Sequence, residues 1–115
     1  MIELKDNGER ITETSLEFWR NDKHLIGRVK EVKCSYDPLA SDTLVAAKGG
    51  YNREYNLRII GSKGGIYLSG CSCGYSGEGP HGTRQILVEL GVEPVEAVRL
   101  SRQRRFSITI GNGGG

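Results

Sequence analysis

The chain has 115 residues, 37% hydrophobic and 7% aromatic, with 17 glycines and a formal net charge of +2. That length holds one domain with a modest core and leaves no room for two, and a balance so near neutral does not by itself announce nucleic-acid binding. No apolar run approaches the roughly 20 residues of a membrane-spanning helix, so a soluble, cytoplasmic protein with reduced thiols and no membrane partner is expected.

Taken in chain order, "TSLEFW" (14–19) crowds apolar and aromatic residues at its end and reads as a first strand, closed by the turn "NDK" (21–23). "HLIGRVKEVKC" (24–34) partly alternates apolar and polar positions, and Asp37-Pro38 breaks it. "DTLVAAK" (42–48) follows as a strand, "GGYNRE" as a loop, and "YNLRIIG" (55–61) with "GIYLSGCSC" (65–73) as a hairpin joined by a lysine-and-glycine turn.

Beyond "GCSCGYSGEGPHG" (70–82) the period becomes helical. Pro80 suits a first helical turn, Ile86, Leu87 and Leu90 form an apolar stripe, and Gly91 stands at the C′ position. Pro94 opens a second short helix, and "RFSITI" (105–110) alternates as a last strand. The fold class expected is α+β: a mostly antiparallel β-sheet of five to six strands, two short helices near the C-terminus and a final strand. Residues 1–110 form a single domain, and 111–115 a flexible glycine-rich tail. So thin a core favours self-association, and a homo-oligomer is expected.

The glycines ahead of the first C-terminal helix admit two readings. One is a tight strand-to-helix connection. The other is an anion site: the unpaired N–H groups of a helix start carry partial positive charge, and no Cβ keeps a ligand away. In the second reading Tyr75, Gly77, Gly79, Thr83 and Arg84 contact a phosphorylated small molecule. No P-loop or dinucleotide fingerprint is present, and Glu78 sets a negative charge beside the site.

"CGYSGEGPHGTRQILVELG" resembles a motif of an uncharacterised family of small phage and bacterial proteins: aromatic-x-Trp-Gly-Tyr-Gly-Gly-Ser-Gly-Pro, then a leucine-rich helix. The likeness spans Gly74, Tyr75, Gly77, Gly79, Pro80 and the apolar stripe, about twenty residues, and departs at Cys73, Ser76 and Glu78. It implies no activity. At the level of class alone, the chain is similar to phage proteins that sequester nucleotide immune signals, such as Thoeris anti-defence sponges. That analogy implies a cyclic or ADP-ribose-type ligand, bound without cleavage in the host cytoplasm.

Cys34, Cys71, Cys73 and His81 read as buried thiols with a separate histidine, as a zinc set, or as two thiols joined in a disulfide. C-x-C is an uncommon zinc spacing, so neither a metal nor any other cofactor is expected. A Cys73–His81 nucleophile pair is a further alternative, with no third orienting residue to support it. Arg99, Arg102, Arg104 and Arg105 are either solvated cations or a phosphate clamp, with Arg102 and Arg104 reaching across a subunit interface. Trp19 reads as core, while Tyr51 and Tyr55 stand behind Tyr75 as ligand contacts. Carboxylates are scattered along the chain, which favours binding over catalysis. Alternative functions are a protein-binding, anti-CRISPR-like inhibitor and a weak nucleic-acid-binding module, both using the 99–105 arginines.

Overall fold

The computed structural model describes residues 1–46 and 49–111, with only the backbone described within 43–52. The tail beyond Gly111 and the side chain of Tyr51 lie outside the described residues. The elements in order are β1 (Ile2–Lys5), α1 (Thr12–Asp22), a 3₁₀ turn (Lys23–Ile26), β2 (Val29–Ser35), β3 (Ala40–Ala46) and β4 (Gly49–Tyr55). There follow β5 (Leu57–Gly61), β6 (Gly64–Leu68), α2 (Glu78–Glu89), α3 (Pro94–Ser101) and β7 (Arg105–Thr109). The chain is thus α+β, with a five-stranded sheet in the order β1-β6-β5-β2-β7 and a separate β3–β4 pair. Every pairing is antiparallel except β1 on β6.

Period-two alternation explains the main sheet. Val32 and Cys34, Leu57 and Ile59, Ile66 and Leu68, and Phe106 are buried, while Glu31, Lys33, Arg58 and Ser107 point the other way. On the inner face these residues join Leu16 and Trp19 of α1, Ile86 and Leu87 of α2, and Ala97 and Leu100 of α3 in one core. Each such aliphatic side chain, fully buried, contributes about 1.5–3 kcal/mol. The β5–β6 hairpin and the final strand form where the sequence predicts them, although β6 ends at Leu68, short of the expected Cys73; Pro80 lies in the first turn of α2, and Pro94 opens α3.

Three expectations are corrected. Residues 14–19 belong to a helix, because Thr12, Ser15, Leu16 and Trp19 fall on one buried face at helical spacing. Residues 49–54, expected as a loop, pair with β3 in a continuous register from Ala40↔Tyr55 to Ala46↔Gly49. His24, expected on a strand, lies exposed in the 3₁₀ turn.

Candidate functional site

The segments 6–15 and 69–72 are laced together by buried polar groups. Asp6 carries the centre: its carboxylate accepts from the N–H of Gly8 at 3.0 Å, from the N–H of Ser69 at 2.9 Å and from the Ser15 hydroxyl. Ser15 Oγ in turn accepts from the N–H of Gly70 at 2.8 Å, and Thr12 Oγ1 donates to the Gly70 carbonyl at 2.7 Å. A buried carboxylate is tolerated because its lone pairs are matched in this way. The effect is to hold α1 against the stretch between β6 and α2.

Above that floor lies a cleft of about 550 Å³. Arg10 and Glu54, paired at 3.3 Å, line one part of it. Tyr36 and Asp37 come from the end of β2, and Ser72, Tyr75, Glu78 and Gly79 from the approach to α2. Asn56 fixes the β2 side by donating to the carbonyls of Ser35 at 3.1 Å and Tyr36 at 3.0 Å. The two tyrosine rings meet edge to face at 6.0 Å while each stays over 40% exposed, at 43% for Tyr36 and 47% for Tyr75. Ser72 Oγ and the Tyr75 hydroxyl share a hydrogen bond of 2.9 Å, which sets the Tyr75 ring.

The start of α2 is built for close approach. A Cβ on Gly79 would strike Ser72 Oγ and stand 2.7 Å from the Tyr75 hydroxyl, while one on Gly82 would stand 2.5 Å from Thr12 Cγ2. Gly74, at φ +92°, takes a conformation that side chains disfavour. These glycines therefore serve the tight connection. No side chain caps α2, so the N–H groups of Glu78 and Gly79, at the cleft wall, lack a side-chain acceptor.

The residues expected at the site divide. Tyr75 and Gly79 line the cleft, and Gly77 is the residue before α2. Thr83 is fully buried, its hydroxyl donating to the Ser72 carbonyl at 2.7 Å and lying 3.3 Å from that of Gly79. Thr83 positions the loop from inside. Arg84 lines a different groove, with His81, Val88 and Val98 between α2 and α3, and Arg102 lies against Val95 and Val98 on α3. Arg104 stacks its guanidinium 4.2 Å from the Tyr36 ring centroid, buttressing a residue of the cleft. Arg99 is engaged by Glu96. Tyr55 is buried, its hydroxyl donating to the Asp6 carbonyl at 3.4 Å.

Trp19 is core, at 1% exposure. The three thiols are free and buried, whereas His81 is exposed on the α2–α3 groove, so the structure does not bring the histidine to them. Burial raises the Cys34 pKa and pushes that of Cys71 up to about 12. The neighbouring Cys34 thiol holds the Cys73 thiol below its ordinary range. Among the described residues no three of His, Cys, Asp and Glu stand together as a metal-holding group.

Sequence reasoning missed Arg10, Tyr36, Asp37, Glu54 and Asn56. The carboxylates that look scattered along the chain are in part gathered in space, with Asp37, Glu54 and Glu78 on one cleft. Asp37-Pro38 was visible as a break, and a turn bearing an aromatic and an acid beside a strand end is the signal that marks this wall. Compared with protein-family models, curated proteins and solved structures, the chain matches none.

Proposed function

We propose that the protein binds a nucleotide-type small molecule in this cleft without transforming it. The observation that carries the reading is the meeting, in one cleft, of an exposed tyrosine pair, carboxylates and the uncapped start of α2. A base ring stacks on Tyr75 or Tyr36, and the ligand's hydroxyls donate to Glu54, Glu78 or Asp37, as carboxylates do with a ribose diol. A phosphate lies at the N–H groups of Glu78 and Gly79, with Arg10 as the nearby cation. Three carboxylates against one arginine favour a ligand with singly charged phosphodiester or diphosphate links over one with a terminal triphosphate.

A cyclic or ADP-ribose-type signal has that chemistry, and a sponge that holds it, in a phage or prophage acting against host defence, is the role in keeping with the class analogy. Self-association across α3, where Val95 is 83% exposed beside Val98 and Arg102, belongs to the same proposal.

Isothermal titration with ADP-ribose and cyclic dinucleotides tests the site. Tyr75→Ala and Glu78→Gln are expected to weaken binding at least about tenfold, the effect of one charge-assisted hydrogen bond or stacked ring. Arg84→Ala is expected to leave affinity unchanged. Full affinity in Tyr75→Ala with loss in Arg84→Ala moves the site to the α2–α3 groove.

A further inference from the structure

β7 is the last strand of the main sheet, and its far side is an open edge. The ladder to β2 fixes which groups face that edge. Tyr36 N–H donates to the Arg104 carbonyl at 2.7 Å and Ile110 N–H to the Lys30 carbonyl at 2.8 Å, so the even-numbered residues turn their backbone groups toward β2. The N–H and carbonyl groups of Arg105, Ser107 and Thr109 therefore point outward, and no other segment among the described residues bonds to them. The usual protections of an edge are missing: β7 has no proline, its register with β2 runs without a bulge, and Arg105 is its one charged residue. At the opposite edge, by contrast, β1 is tied to β3 by the Lys5–Asp42 ion pair at 3.0 Å.

We propose that β7 pairs with β7 of a second copy of this chain, antiparallel about a two-fold axis through Ser107, so that the two main sheets become one. This register engages every outward residue: Arg105 lies opposite the partner's Thr109, Ser107 opposite the partner's Ser107, and Thr109 opposite the partner's Arg105. Each such pair exchanges two N–H···O bonds, about six in all. Moving the axis to Phe106 or Ile108 leaves one outward residue of each strand without a strand partner.

Both faces of the sheet accept this register. On the inner face the buried Phe106 comes opposite the partner's Ile108, half-buried in the single chain, so apolar meets apolar and the core continues across the axis. On the outer face Glu31 already leans over β7, its carboxylate accepting from the Ser107 hydroxyl at 3.2 Å. Thr109, the neighbour of Glu31 in the ladder, is the residue that faces the partner's Arg105. Strands lie about 4.8 Å apart, so the exposed Arg105 guanidinium reaches the partner's Glu31 across one threonine, twice by symmetry. Among the described residues no carboxylate of its own chain is paired with Arg105. The charges are thus complementary where the copies meet. A two-fold contact of this kind closes as a dimer and does not grow into a fibre.

The dimer does not depend on the small-molecule reading and is tested without a nucleotide, and its surface is separate from the α3 groove. Sedimentation equilibrium of the full chain is expected to show a concentration-dependent monomer–dimer equilibrium. Amide exchange followed by NMR in dilute and concentrated samples is expected to slow on association at Arg105, Ser107 and Thr109. It is expected to stay the same at Phe106 and Ile108, whose N–H groups already face β2. Ser107→Pro, which removes an outward N–H and no bond to β2, is expected to abolish the dimer and keep the monomer folded. Glu31→Arg is expected to raise the dissociation constant at least about tenfold, since two contacts turn repulsive at once, and adding Arg105→Glu is expected to restore it. Val95→Lys, on the α3 surface, is expected to leave the dimer in place. A protein that stays monomeric overturns the proposal. So does a dimer that survives Ser107→Pro, that is lost in Val95→Lys, or that the exchange of charges fails to rescue. Should Ser107→Pro fail to fold, the amide pattern and the charge exchange carry the decision.

Discussion

Gly79 and Gly82 sit three residues apart on α2, yet their substitution by alanine should have different consequences. In an open helix the change would gain up to about 1 kcal/mol in propensity. At Gly82 the new methyl meets Thr12, whose own hydroxyl is held by the Gly70 carbonyl and cannot swing away. Overpacking of that kind costs about 1–3 kcal/mol and outweighs the propensity gain. Gly82→Ala should therefore lower the urea midpoint. At Gly79 the methyl meets Ser72 Oγ and the exposed Tyr75, which can move. Gly79→Ala should keep most of the stability and lose the Ser72–Tyr75 hydrogen bond, read as weaker nucleotide binding.

Cys71 gives a second prediction at this scale. Burial raises its pKa in the folded state from an ordinary 9.0 to about 12, so the folded protein holds the thiol proton more tightly than the unfolded chain. Its contribution is whole below pH 9 and is lost as pH rises toward 12, with a slope of up to about 1.4 kcal/mol per pH unit. Cys34 and Tyr55 shift in the same direction and add to the alkaline loss. Urea unfolding from pH 8 to 11 should show falling midpoints, with a shallower fall in Cys71→Ala.

Among the elements, β1 and α1 matter most to the cleft because Asp6 joins them to the 69–70 turn. Removing its carboxylate leaves the N–H groups of Gly8 and Ser69 and the Ser15 hydroxyl without their acceptor. Asp6→Ala should cost about 2–4 kcal/mol in unfolding free energy, measured by chemical denaturation. Asp6→Asn, which keeps one carbonyl acceptor, should cost less. A variant as stable as the parent would show that this network does not hold α1 in place.

The same network explains why α1 is hard to read in the sequence. Its buried face includes Thr12 and Ser15, polar residues that both bond to Gly70, more than fifty positions away, so the local stretch 14–19 shows only Leu16, Phe18 and Trp19 and looks extended. The hairpin β5–β6 and helices α2 and α3 are legible because their signals are local: alternation, a proline in the first turn, a glycine after the last. β4 is illegible for the opposite reason, since "GGYNRE" has no apolar alternation and its strand is defined by pairing with β3.

At the scale of the whole molecule, the cleft is assembled from five separated stretches, around Arg10, Tyr36, Glu54, Ser69 and Glu78. The glycine-rich stretch announces only the last of them. Its glycines mark both a close-packed helix start and a wall of the cleft, so the structural and the ligand readings of 70–82 are compatible. The arginines of 99–105, clustered in sequence, divide in space: Arg99, taken by Glu96, and Arg102 line one exposed groove on α3, whereas Arg104 supports Tyr36. Nothing in the order of residues discloses that division, because it follows from how α3 turns into β7.

The most direct test of small-molecule binding at the α2 cleft is native mass spectrometry of the purified protein with cyclic dinucleotides, ADP-ribose and ATP. The account predicts a mass increase equal to one intact nucleotide per cleft, stronger for the diester and diphosphate ligands than for ATP, and lost in Tyr75→Ala. A protein that takes up none of them, or that returns them cleaved, contradicts it.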